Sequence, residues 1–160
     1  MIFLEYNDLS SLEAAAQESG NNLAGIVLTA FRHDVRRDQE LPKKGFLKKA
    51  RDICDSKNAF LILDDVRAGF RLNRNGSWFD YGIKPDLTAF SKAIGNGYPL
   101  SAVVGIEKLR KAASEIYVTG SFWCNATSMA ASLKTLSIME ERDVVAHISG
   151  LGDKLRSGID

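Results

Sequence analysis

Lys92 ends one apolar run and opens a glycine-rich turn in the stretch AFSKAIGNGYP, residues 89–99. Asp64, 28 positions earlier, ends another in AFLILDD, residues 59–65. A primary amine and a carboxylate at the ends of two apolar runs have two sensible uses. One is a structural ion pair, which is common at sheet ends and often inert. The other is a site that needs a nucleophilic amine and a fixed negative charge facing one bound molecule.

The elements that must position these groups can be read from periodicity. Residues 23–28 (LAGIVL) and 59–63 (AFLIL) are compact apolar strands. Residues 1–6, 86–91 and 101–106 are further short strand candidates. A helix is expected over Leu9–Ser19, ending at Gly20, with Asp8 or Ser10 as its cap. A second, over residues 43–57, places Phe46, Ala50, Ile53 and Cys54 on one stripe. Residues 107–113 and 125–141 also read as helices, the latter with Met129, Leu133 and Leu136 on a shared face. A final helix over Val144–Ile159 is expected to be interrupted at Gly150 and Gly152. Continuous apolar strands alternating with amphipathic helices predict an α/β fold with a mostly parallel sheet flanked by helices. Ligands collect at the carboxyl ends of such strands, where Asp64 and Lys92 both fall. There the second use takes a definite form. A lysine amine can form a Schiff base with pyridoxal phosphate while an aspartate keeps the ring nitrogen protonated.

Composition narrows the alternatives. The 160 residues are 45% hydrophobic and 26% charged, which suits a globular domain with a core. With 21 basic and 20 acidic residues the formal net charge is +1, too small to steer nucleic acid or an anionic membrane. The apolar runs fall well short of a membrane span, and MIFLEYNDLSS does not read as a signal peptide. Two cysteines, Cys54 and Cys124, suggest neither a disulfide framework nor a zinc site, so a reducing, cytoplasmic setting is expected. His33 and His147 have no ligand-spaced partner, and no metal is expected. Lys43, Lys44, Lys48, Lys49 and Arg51, interleaved with Asp52 and Asp55, read as a solvated helix face.

Three blocks in order, LILDDVRAGFR, YGIKPDLTAFSKAIGNGYPLSAVVG and TGSFWCNATSMAAS, resemble the class III pyridoxal-phosphate aminotransferases, and within them the glutamate-1-semialdehyde aminomutase-like branch. The resemblance implies the large domain of a fold-type I pyridoxal 5'-phosphate-dependent transferase. It implies that Lys92 is the Schiff-base lysine, later shuttling a proton between the substrate carbon and C4′ of the cofactor. Asp64 would face the pyridine nitrogen, and Val66 would pack on the ring, although ordinary core is its other reading. Ser121 would reach the cofactor phosphate of a neighbouring subunit, which implies a homodimer; a local backbone hydrogen bond is the alternative. Gly95 and Gly97 would permit positive φ angles after the lysine. The substrate implied is an amino acid or amino ketone.

The chain also departs from the pattern. Asp64-Asp65-Val66 stands where the family usually has Asp-Glu-Val, and Thr29-Ala30 where it usually has Glu-Pro. Family subunits are more than twice this length. Residues 1–142 are therefore expected to be the middle and C-terminal half of the cofactor-binding large domain. Residues 143–160 would lead into a C-terminal small domain absent from the sequence. Two rivals remain at this point: a non-catalytic fragment of the same fold, and a receiver-like signalling domain built around Asp64, Asp65, Thr88 and Lys92.

Overall fold

In the computed structural model, which describes residues 1–159, four strands form one sheet in the order β1-β2-β3-β4. They are β1 (Gly25–Thr29), β2 (Phe60–Asp64), β3 (Leu87–Phe90) and β4 (Ala102–Gly105). β1, β2 and β3 are mutually parallel, and β4 returns antiparallel to β3. The α/β architecture with a mostly parallel sheet is as expected. The reversal at β4 was not expected. It follows from the short link across residues 91–101, which has no room for a crossover helix.

Helices α1 (Leu9–Ser19) and α2 (Phe46–Ser56) cover one face of the sheet. Asp8 caps α1, its carboxylate accepting from the Ser11 N–H at 3.0 Å. Gly20 ends the helix at φ 56°. The α2 stripe is as read: Phe46, Leu47, Ala50, Ile53 and Cys54 are buried against Leu12, Ala16, Ile26, Leu28, Leu61 and Leu63. Each large side chain buried there contributes about 1.5–3 kcal/mol of transfer free energy. At the amino end of the strands, Asp86 accepts from Arg51 of α2 and from the Leu61 N–H, at 2.7 Å each. That carboxylate ties α2 to the starts of β2 and β3.

The second face of the sheet is open. Val27 is 65% exposed there and Val103 71%.

Residues 1–6 do not form a strand. They share a cavity with the edge strand β1 without pairing to it, and Leu4 and Tyr6 pack on the core, with the Tyr6 and Phe46 rings edge-to-face at 5.3 Å. Helices α3 (Arg110–Glu115), α4 (Ala126–Arg142) and α5 (Val144–Ile159) follow β4. On α4 the expected apolar face is reversed: Met129 and Leu133 are exposed, while Ser128 and Ser132 are buried. α5 runs unbroken through Gly150 and Gly152, since isolated glycines weaken a helix by only about 1 kcal/mol each. None of its residues is buried, and Asp160 lies outside the described residues.

Candidate functional site at the carboxyl edge of the sheet

The apolar register of β2 against both neighbours brings Asp64 to the carboxyl edge, opposite Thr29 on β1 and Ala89 on β3. Asp64 is half-buried, and its Oδ1 accepts from the Val66 N–H at 3.0 Å. This Asx turn pulls the chain out of the sheet and leaves Val66 half-buried just beyond the edge. Among the described residues the other carboxylate oxygen of Asp64 takes no hydrogen bond.

Lys92 follows β3 and opens a single 3-10 turn, Lys92–Ile94. Its φ is 50°, in the left-handed region that a lysine rarely adopts, and such strain concentrates at functional sites. The turn is held by the Asn96 N–H donating to the Lys92 carbonyl at 3.0 Å and by Tyr98 N–H donating to Gly95 O, also at 3.0 Å. Gly97 has the expected positive φ, 101°. Gly95 does not: its φ is −94°. A side chain is excluded at Gly95 for another reason, because a Cβ there would lie 2.4 Å from the Tyr98 carbonyl oxygen. Across this turn packs α4, through a face made small by Ser128 and Ser132. The burial of two serines in place of Met129 and Leu133 thus reflects what the helix must fit against.

Lys92 is exposed, and among the described residues its amine has no ion-pair or hydrogen-bond partner. Asp64, at the end of β2, and Lys92, just past the end of β3, therefore stand at one edge without forming the structural ion pair that was one of their two uses. A free amine, a carboxylate with a free oxygen and an open sheet edge make a donor set that fits a flat, electron-poor ring carrying an aldehyde.

Ser121 is exposed in the loop before α4 and lines a cavity of about 1010 Å³ with Ser91, Val103, Trp123 and Cys124; Asp64, Val66 and Lys92 are not among its lining residues. It makes no local backbone hydrogen bond among the described residues. Around it, Ile116, Tyr117, Val118, Phe122 and Trp123 are 52–89% exposed.

The resemblance gave Asp65 no role in the cofactor site. It is 1% exposed, with Oδ2 accepting from the Ser77 N–H at 3.1 Å and Oδ1 from the Ser77 hydroxyl. Burial pushes its carboxyl up from the usual carboxylate range, the Ser77 hydrogen bonds pull it back, and the Asp64 charge adds to the rise. A signal was available: consecutive residues of an extended chain point to opposite sides, so one of two adjacent aspartates at a strand end must turn inward.

The sequence profile described as Aminotransferase class-III matches residues 4–160. The aminopentol aminotransferase of Sphingopyxis macrogoltabida is 44% identical over 158 residues, covering 99% of this chain and 37% of that protein. The glutamate-1-semialdehyde 2,1-aminomutase of Alkaliphilus oremlandii is 34% identical over 159 residues, covering 97% of this chain and 37% of its own length. Among solved structures, the PLP internal aldimine form of the FumI protein of Sphingopyxis sp. MTA144 superposes with a TM-score of 0.95 at 44% identity, covering 98% of this chain and 38% of that one. The chain thus spans well under half the length of the relatives it matches.

Proposed function

The chain belongs to the class-III aminotransferase family, whose cofactor is pyridoxal phosphate, and on that premise we propose that Lys92 and Asp64 are its cofactor-holding residues in amino-group transfer. The observation that carries the reading is the placement of a free amine and a partly free carboxylate at the ends of adjacent strands, at one sheet edge. When bound, the cofactor supplies an electron sink for a carbanion next to nitrogen. Lys92 Nζ would hold the cofactor through its aldehyde group and, as a free amine, would move the proton at the substrate carbon. Asp64 would hold a proton on the ring nitrogen, and Val66 would pack against the ring and exclude water from it. The substrate is a small amino acid or amino ketone, and the setting is the cytoplasm.

A homodimer belongs to the same reading. The exposed apolar residues Tyr117, Phe122 and Trp123 are the surface it would bury, and Ser121 beside them would reach the cofactor phosphate of the other subunit. Family membership sets the receiver-like alternative aside.

The test is covalent trapping. The protein mixed with pyridoxal phosphate is reduced with borohydride and its peptides are mapped by mass spectrometry. A stable adduct on Lys92 is the expected result. An adduct spread over surface lysines, with none preferred, would overturn the assignment and favour a non-catalytic fold.

A further inference from the structure

Asp65 reaches both strand ends that carry the site. Its backbone N–H donates to the Ala89 carbonyl at 2.9 Å, three residues before Lys92, and its own carbonyl accepts from the Gly69 N–H at 2.8 Å. Its carboxylate closes on Ser77, itself 2% exposed, so that the segment leaving β2 at Asp64 is folded back and pinned twelve residues later. The residue after Ser77 is Trp78, whose ring lies 5.8 Å from that of Phe90; Phe70, from the same segment, lies 5.0 Å from it on centroids. Phe90 is two residues before Lys92. There is little slack in this packing, since a Cβ at Gly69 would meet the Asp65 carbonyl at 2.6 Å and Phe90 Cδ1 at 2.7 Å.

We propose that Asp65 is a positioning residue: by gripping Ser77 it fixes the spacing between the Asp64 carboxylate and the Lys92 amine. The proposal rests on the reading of Asp64 and Lys92 given above, but concerns residues that touch neither cofactor nor substrate. Both carboxylate oxygens of Asp65 are taken by Ser77, so removing the Ser77 hydroxyl leaves one buried oxygen without its donor. The segment then relaxes at Trp78 and Phe90, and the two strand ends lose their common brace. The chain's short aspartate at this position is matched to a serine close enough to be held through both its amide and its hydroxyl.

The experiment uses the full protein with added pyridoxal phosphate and three variants: Ser77→Ala, Asp65→Asn and the two combined. Ile53→Val, in the α2 core and remote from the site, serves as a control for simple loss of stability. Cofactor Kd, borohydride trapping at Lys92 and the visible circular dichroism of bound cofactor at saturation are measured well below Tm. Each single variant is expected to weaken cofactor binding roughly three- to tenfold and to reduce the visible dichroism. The combination is expected to do no more than the worse single, because both remove one shared contact. The control should lower Tm and leave Kd and dichroism alone. Variants that trap normally at Lys92 and behave like the control overturn the positioning role while leaving the function intact. Failure of the unsubstituted protein to trap cofactor at Lys92 overturns the function, and this proposal with it.

Discussion

Asp64 ends β2 and Lys92 opens the turn after the parallel strand β3, so a carboxylate and an amine leave the same edge of the sheet without meeting in an ion pair. The pairing of Asp64 with Ala89 sets their separation in sequence-independent terms: one strand spacing across, three residues along. A planar molecule gripped from two sides suits that arrangement better than a salt bridge does.

Replacing Asp64 by Ala removes the carboxylate proposed to hold a proton on the ring nitrogen. Single-turnover rates with an amino donor are expected to fall on the order of a hundredfold or more, with the cofactor still trapped at Lys92. An unchanged rate would remove Asp64 from the mechanism.

The two cysteines should differ sharply toward an alkylating agent. Cys54 is fully buried on α2 and its thiol is pushed up to about 11, chiefly by burial, so at pH 8 only about one part in a thousand is thiolate. Cys124 is exposed. Peptide mapping after iodoacetamide treatment should find Cys124 labelled in the native protein and Cys54 only after denaturation. Equal labelling would contradict the packing of α2.

Asp65 gives stability a pH dependence of definite sign. Burial raises its folded-state pKa above the ordinary 3.8, so between those values the folded protein holds a proton that the unfolded chain has released. Its contribution is full below the unfolded value and is lost as pH rises through the folded one. Urea melts at a series of pH values across that window should show a downward slope that Asp65→Asn flattens. A slope unaffected by the substitution means that other groups set it.

Trp123 is 63% exposed among apolar neighbours. If that surface joins two subunits, Trp123→Glu places a charge in the contact and should turn a dimer into a monomer by light scattering. A dimer that survives the substitution locates its interface elsewhere.

Core truncation should follow ordinary cavity energetics. Leu61 is completely buried between α2 and the sheet, and Leu61→Ala is expected to lower stability by about 2–5 kcal/mol, read from denaturant midpoints. A cost near zero would mean that the covered face of the sheet is not the core.

Much of this was legible beforehand, and the misses share a cause. α2 buries one face, so its period appears directly in the residues: Phe46, Ala50, Ile53 and Cys54 are buried as the spacing predicts. Asp64 and Lys92 stand at one edge of the sheet because each ends an apolar run. α4 was misread because it packs on a tight turn, where two serines fit and Met129 and Leu133 do not. Residues 1–6 are apolar enough for a strand, but a strand also needs backbone pairing with a neighbour, and these residues lie by the edge strand β1 without that pairing. Asp65, read as a replacement for the family's glutamate, takes its place from Ser77, a partner that only the fold brings to it.

The antiparallel return of β4 has a bearing on the order in which the site is assembled. β3 and β4 are joined by the short link that contains Lys92, so their pairing is a local event of the kind that chains complete quickly. Asp64 comes into register only when β2 pairs with β3 across residues 65–86, a longer loop that carries a larger closure entropy. The amine is thus the first half of the site to take shape in folding and the carboxylate the second. On the proposed reading, cofactor retention would then be a marker of late, long-range structure.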